Sequence, residues 1–117
     1  MATIAVLLTQ PPYGQQRSAD GIEFALASTN YGHECHVIFC AEGVYQLLNN
    51  QAPAQQKNHL KQTNVLPFYD IDPIYVCERS MASLRIAPED LGVNDVEVLS
   101  ADAMHTLISR CDHTVTF

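Results

Sequence analysis

The chain has 117 residues, the length of one ordinary domain, and 47% of them are apolar, which excludes a disordered chain. Thirteen acidic against six basic side chains give a formal net charge of −7, which argues against direct binding to nucleic acid. Charged residues make up only 16%, and so uncharged a surface favours a subunit of an oligomer over a free monomer.

The cysteines and the first residues indicate the compartment. Residues 1–8 are apolar but carry no positive charge, and Thr9-Gln10-Pro11-Pro12 follows instead of a cleavage site, so they predict a buried strand rather than a signal peptide. No apolar run approaches the roughly eighteen residues of a membrane helix. The four cysteines form no C-x-x-C pair, which predicts reduced thiols in the cytoplasm.

The first third of the chain predicts a strand followed by a helix. Residues 3–9 are a continuous apolar run, typical of a strand buried on both faces. A helix is predicted to begin near Ser18, whose hydroxyl can cap it, and to end before Gly32. Gly21 allows that helix to approach a sheet closely.

The same alternation continues to the end of the chain. Further strands are predicted over 35–41, 74–77, 96–99 and 114–117, and helices over 43–48, 54–65, 78–84 and after Ser100, which caps the last one. Alternating strands and helices with buried-type strands define the α/β class. We expect a single domain over 1–117: a three-layer α/β/α sandwich, flavodoxin-like, with a mainly parallel sheet of about five strands.

The loop after the first strand occupies the position where flavodoxin-like folds hold a phosphate. Residues 10–17 contain one glycine, two prolines without N–H donors, and no lysine of the P-loop type. No cofactor is therefore expected, although a flavodoxin-like small-molecule binder stays open as an alternative.

Three nearby side chains, His33, Cys35 and His36, suggest a metal site. In a strand His33 and Cys35 share a face and His36 points away, so the three cannot converge on one ion. No metal is expected.

Cys77 is the most informative thiol of the sequence. It ends a predicted strand and opens a helix, where free backbone N–H groups favour a thiolate, with Arg79 and Arg85 nearby and Glu78 opposing them. If it is accessible to solvent, it should be the most reactive of the four cysteines. The alternative interpretation is a buried apolar cysteine at a strand end. The other cysteines, Cys40 among them, are interpreted as core or strand residues.

Short segments in a particular order resemble one family over nearly the whole chain. The clearest are the segment Gly43-Val44-x-Gln46-Leu47-Leu48, the later Gln51-x-Pro53, and then Tyr69-Asp70-Ile71. Others are Pro12-x-Gly14, Gly21, Ile38-Phe39-Cys40-Ala41-Glu42, Tyr75-Val76-Cys77 and Val115-Thr116-Phe117. Together they resemble the DsrE/DsrF-like sulfur-relay family, and within it the TusC/DsrF subunit type.

The resemblance implies a subunit of a cytoplasmic complex that passes sulfane sulfur as a protein persulfide. In TusBCD-like systems this sulfur serves 2-thiolation of the wobble uridine in tRNA, and in DsrEFH-like systems it belongs to sulfur oxidation. The implied partners are TusB-like and TusD-like sibling subunits, in a dimer of heterotrimers, and a downstream sulfur carrier that docks on the complex. No direct contact with nucleic acid or membrane is implied.

Two roles for this chain follow from the resemblance. Cys77 takes the place of the reactive cysteine of the sibling, but it is followed by the acidic Glu78, and no Arg-Gly pair follows. The leading hypothesis is a mainly structural subunit that is not itself catalytic. The alternative is a direct persulfide carrier acting through Cys77.

A short apolar segment predicts where a second subunit binds. Apolar side chains on a short predicted helix suit a buried contact between subunits. The predicted contact residues are Val44, Tyr45, Leu47 and Leu48.

Overall fold

A computed structural model describes residues 2–10, 16–48, 66–69, 71, 73–92 and 96–117. The strands within these ranges are β1 (Thr3–Leu8), β2 (Glu34–Phe39), β3 (Ile74–Cys77), β4 (Val96–Leu99) and β5 (His113–Thr116). The α-helices are α1 (Gln16–Asn30), α2 (Glu78–Leu84) and α3 (Ala101–Ser109), and 3₁₀ helices span Ala41–Leu47, Leu66–Tyr69 and Pro88–Asp90. No helix in these ranges has the length and apolar character needed to span a bilayer.

The strands form one parallel sheet in the order β4-β3-β2-β1-β5. From β1 to β4, each new strand is added on the same side of the strand before it. The chain then crosses back over the sheet, and β5 is added on the opposite side of β1. Because crossovers between parallel strands are right-handed, α3 lies on the face of the sheet opposite to the other connections. The α/β class and the parallel sheet predicted from the sequence are confirmed.

The first face of the sheet carries the hydrophobic core. Alternate residues of β1 and β2, from Ile4 paired with Cys35 to Leu8 paired with Phe39, point to this face. Against them pack α1 and the 3₁₀ helix Ala41–Leu47, whose fully buried contributions are Ile22, Ala25, Val44 and Leu47. Each large aliphatic side chain removed from water here contributes roughly 1.5–3 kcal/mol to stability.

The second face is covered much more thinly. Ala5 and Ile38 are buried on it, yet no residue of α3 is buried. The apolar side chains Met104, Leu107 and Ile108 of that helix stay partly exposed. This face therefore keeps apolar side chains that are only partly buried among the described residues.

The ends of the helices match the sequence prediction in part. Gly32 follows α1 with φ +87°, and the Ser100 hydroxyl accepts a hydrogen bond from the Ala103 N–H at 3.2 Å, as predicted for a terminator and a cap. The prediction that Ser18 caps α1 is wrong, because the helix already begins at Gln16. Gln and Arg are good helix formers, so they extend the helix past the serine. The predicted helix over 54–65 lies outside the described residues.

Two glycines let other elements approach β1. A Cβ on Gly43 would overlap the Leu8 carbonyl and lie 3.1 Å from the backbone nitrogen of Thr9. A Cβ on Gly21 would meet the tip of the Leu8 side chain, Cδ2, and lie 3.2 Å from Phe117. The first obstacle is backbone of the central sheet and cannot move, whereas the second is a flexible side chain.

We expect Gly43→Ala to lower the free energy of unfolding by about 3 kcal/mol or more, because overpacking against backbone cannot be relieved. Gly21→Ala should stay within about 1 kcal/mol of the wild type, since better helix propensity offsets the repacking of Leu8. Urea unfolding of the two variants measures the difference. Equal losses in both variants would contradict the assigned contacts.

Candidate functional site

The carboxyl ends of the strands lie at one edge of the sheet, where open parallel sheets hold their functional groups. Thr9 follows β1, Cys40 follows β2, Cys77 ends β3 and Ser100 follows β4. Thr9 is fixed by the last residue, because its N–H and its hydroxyl both donate to the Phe117 carbonyl, at 2.8 and 2.7 Å. Two of these four positions are thiols, on neighbouring strands.

Cys77 lies at the strand–helix junction where the sequence places it. It is paired in register with Leu99, its backbone is extended (φ −77°, ψ 119°), and its side chain makes no capping hydrogen bond to α2. Only 8% of the residue is exposed. We expected Cys77 to be the most reactive cysteine if solvent could reach it. In this structure the side chain is buried, so that condition is not met.

The charges around Cys77 are arranged unevenly. Glu78 and Arg79 are exposed next to it, whereas Arg85 stands beyond the other end of α2, roughly 12 Å along the helix. Arg79 lines a cavity of about 310 Å³ together with Ala41, Glu42, Ser80, Ser83 and Leu84. The positive potential expected from Arg85 is thus too distant to act on this thiol.

Cys40 lies beside Cys77, which the sequence did not predict. The register pairs Ile38 with Tyr75 and Phe39 with Val76, so the next step along both chains brings the two cysteines opposite each other. Burial, and then the neighbouring Cys77, raise the pKa of the Cys40 thiol to about 11. Part of the signal was available, because each cysteine stands at the end of a buried strand, but the pairing of β2 with β3 was not.

The backbone after Cys40 is held in an unusual conformation. Ala41 has a positive φ of 49°, in the left-handed region that non-glycine residues rarely adopt, and this turns the chain out of β2 into the 3₁₀ helix. The Ala41 N–H donates to the Ser80 hydroxyl at 2.8 Å, which ties the turn to α2. The segments that carry the two thiols are therefore joined to each other.

The candidate metal ligands are placed in three different surroundings. His33 Nδ1 accepts a hydrogen bond from the Ala2 N–H at 3.1 Å, Cys35 is in the core, and His36 Nε2 is 3.7 Å from a Glu34 carboxylate oxygen. His33 and Cys35 line a cavity of about 550 Å³ at the amino edge of the sheet, opposite to Cys77. Over the described part of the chain, no group of three or more such side chains could hold a metal ion.

The predicted subunit contact is narrowed by the structure. Val44 and Leu47 are fully buried in the subunit's own core, so their side chains cannot reach another chain. Their apolar character reflects packing against β1 and β2. Tyr45 and Leu48, on the same segment, are partly exposed.

The expected phosphate position is described only in part. Residues 11–15 of that loop lie outside the described ranges. At its start, the buried Gln46 donates from Nε2 to the Gln10 carbonyl at 3.1 Å. The 3₁₀ helix thereby fixes the beginning of the loop.

The structure is an all-parallel α/β domain that carries two thiols, Cys40 and Cys77, at the carboxyl edge of its sheet. The chain belongs to the DsrE/DsrF-like family, whose sequence model matches residues 2–117, and the resemblance found in the sequence is confirmed.

Among the similar proteins, one curated relative and one solved structure illustrate a match over the full length. A TusC homolog of Aliivibrio fischeri (strain ATCC 700601 / ES114) is 27% identical over 119 residues, and the match covers all of both chains. The crystal structure of the YchN protein from E. coli superposes over the full length of both chains with a TM-score of 0.88 at 18% identity. That second likeness shows the fold.

The raised pKa of Cys40 predicts how stability depends on pH. The unfolded thiol ionises near pH 9.0 and the folded one near pH 11, so folding favours the protonated form. The contribution of the protonated Cys40 thiol to stability is fully present below pH 9.0 and is lost as the pH rises to about 11.

We expect the wild type to lose about 2 kcal/mol more than Cys40→Ser over this interval, because serine does not titrate there. Urea unfolding of both proteins at several pH values isolates the effect, since the other titrating groups are common to both. Parallel curves for the two proteins would contradict the assigned burial of the thiol.

Proposed function

We propose that this chain is a mainly structural subunit of a cytoplasmic, TusBCD-like sulfur-relay complex that passes persulfide sulfur towards 2-thiolation of the wobble uridine in tRNA. The observation that carries the proposal is the end-to-end match with a TusC homolog, inside a family match that covers residues 2–117. The proposed partners are TusB-like and TusD-like subunits, with a downstream sulfur carrier docking on the complex.

The burial of Cys77 supports a structural role over a carrier role. A relay cysteine must present its sulfur to two partner cysteines in turn, each of which attacks through the sulfur atom. With 8% of Cys77 exposed and the Glu78 carboxylate next to it in sequence, the subunit offers poor access to an incoming thiolate. The reactive cysteine of the relay is then expected on a sibling.

The surface supports assembly. The apolar side chains Met104, Leu107 and Ile108 are only partly buried in the subunit, and charged residues are few, at 16% of the chain. Such a surface is typical of a chain that buries more area against other subunits. Tyr45 adds an aromatic side chain of the kind that dominates the energy of protein interfaces.

One observation favours the second candidate, a carrier role for Cys77 itself. The residue lies at the carboxyl edge of the sheet, where functional groups of this class of fold gather. A further alternative, a DsrF-like subunit of sulfur oxidation, differs in the pathway served and not in the fold.

Deletion of the gene tests the tRNA pathway directly. The proposal expects loss of wobble 2-thiouridine from total tRNA, measured by mass spectrometry of nucleosides, and recovery when the chain is restored. Unchanged 2-thiouridine together with a defect in sulfur oxidation would contradict the tRNA pathway and support a role in sulfur oxidation.

Cys77→Ser tests the structural role. We expect the variant to assemble with both siblings and to keep most of the wobble 2-thiouridine, while serine at the sibling's reactive cysteine abolishes it. The physical reason is that Cys77 is too buried to receive sulfur from a docked protein. Complete loss of the modification with the complex still assembled would make Cys77 a relay station.

Tyr45→Ser tests the subunit contact. Loss of a hot-spot aromatic typically costs about 2 kcal/mol of binding, so we expect affinity for the sibling subunits to fall roughly thirtyfold. Glu42→Ser, at an exposed position of the same 3₁₀ helix, is the matched control and should leave the affinity unchanged. Analytical ultracentrifugation after co-expression measures the affinity of both variants for the sibling subunits. Equal affinities would show that the contact lies elsewhere on the chain.

A further inference from the structure

Cys40 and Cys77 stand at equivalent points on neighbouring strands. Cys40 directly follows β2 and Cys77 ends β3, one step beyond the paired residues Phe39 and Val76. Both cysteines keep an extended backbone, with φ −143° and ψ 166° at Cys40 and φ −77° and ψ 119° at Cys77. Since side chains alternate along a strand, both point to the second face of the sheet.

The separation of the strands suits a disulfide. Neighbouring strands lie about 4.8 Å apart, and a disulfide joins Cα atoms that are about 4.4–6.8 Å apart. Two hydrogen bonds hold the segment in place: the Cys40 N–H donates to the Leu8 carbonyl at 3.1 Å, and the Ala41 N–H donates to the Ser80 hydroxyl of α2 at 2.8 Å. The Cα separation expected from the register therefore falls within the range of a disulfide.

The two cysteines differ in exposure, and this difference is the basis for deciding which thiol receives sulfur first. Cys40 is of intermediate burial, whereas Cys77 is buried. Because the Cys40 residue has the larger exposed fraction, we assign it as the first thiol that a small persulfide meets and Cys77 as the second.

We propose that Cys40 and Cys77 are a resolving pair, in which a sulfane sulfur placed on Cys40 is discharged as hydrogen sulfide and a Cys40–Cys77 disulfide remains. The proposal rests on the proposed function for the persulfide chemistry alone and needs neither the sibling subunits nor tRNA.

The reaction has two balanced steps. A low-molecular-weight persulfide gives its outer sulfur to Cys40, so that Cys40–SH becomes Cys40–S–SH and the donor leaves as a thiol. The Cys77 sulfur, after losing its proton to solvent, then attacks Cys40 Sγ. The new S–S bond forms as the old one breaks, and hydrosulfide leaves with the electron pair and takes up a proton. The two cysteine sulfurs are oxidised and the sulfane sulfur is reduced to sulfide.

The direction of attack follows first from geometry, because the register places Cys77 opposite Cys40 itself and not opposite a sulfur one bond further out. The leaving groups favour the same direction. Attack on the outer sulfur would pass that sulfur to Cys77 and expel Cys40, and a thiol whose pKa is raised to about 11 is a poor leaving group. Attack on Cys40 Sγ expels hydrosulfide instead. The pair therefore clears sulfur from this subunit and does not hand it on.

The test uses the full-length reduced protein and glutathione persulfide under nitrogen at mildly alkaline pH. We expect the intact mass to fall by two hydrogen atoms, one equivalent of sulfide to appear in a sulfide assay, and peptide mapping to find Cys40 joined to Cys77. Cys77→Ser should keep the added sulfur on Cys40 and release no sulfide. Cys111→Ser, a partly buried cysteine beyond α3 at the other edge of the sheet, is the matched control and should behave as the wild type.

A second arm with oxidised glutathione contains no sulfane sulfur and tests the pair alone. Closure of the disulfide without sulfide is expected there. The proposal is overturned if the wild type keeps the added sulfur, if Cys77→Ser releases as much sulfide as the wild type, or if the disulfide joins other cysteines. Peptide mapping of the wild type gives this answer even if a variant fails to fold. Closure in the purified chain combined with normal 2-thiouridine after gene deletion would uphold the pair and reject the tRNA pathway.

Discussion

The Leu8 carbonyl at the end of β1 is the point on which the arrangement of the carboxyl edge depends. It accepts a hydrogen bond from the Cys40 N–H at 3.1 Å, and Gly43 packs against it so closely that a Cβ has no room. The chain must therefore leave β2 immediately after Cys40. It does so through the left-handed Ala41, a conformation that costs of order 1 kcal/mol and persists because its surroundings fix it. This crowded contact fixes where the chain leaves β2, and the β2–β3 register then places Cys40 next to Cys77.

The strands were predictable because their signal is local. The apolar run of β1 and the short β-branched runs of β3 and β4 specify strands from local sequence, and the alternation with helices then indicates a parallel sheet. The expected burial holds for β1 and β3, but β4 lies at the edge of the sheet and its Val98 is exposed. Helix ends are less local. Ser18 has the chemistry of a cap, yet Gln16 and Arg17 are good helix formers and α1 continues through it.

Of the two cysteines of the candidate site, the sequence predicted the position of Cys77 but not that it lies beside Cys40, and the reason is physical. Cys77 could be placed from its strand–helix junction alone. Its relation to Cys40 depends on which strands are neighbours and in what register, and neither is written in the sequence near either residue. Val44 and Leu47 show the same limit, because an apolar side chain that packs inside a subunit looks the same in sequence as one that faces another subunit.

The paired cysteines are separated by 36 residues of chain, which include the 3₁₀ helix after β2 and the whole connection to β3. A covalent bond across them closes that excursion into a ring, and a ring of this size removes about 4 kcal/mol of chain entropy from the unfolded state. Such a gain is a large fraction of the stability of a small domain. The oxidised and reduced forms of the proposed pair would then differ little when folded and greatly when unfolded, so that the bond would act on stability through the unfolded chain.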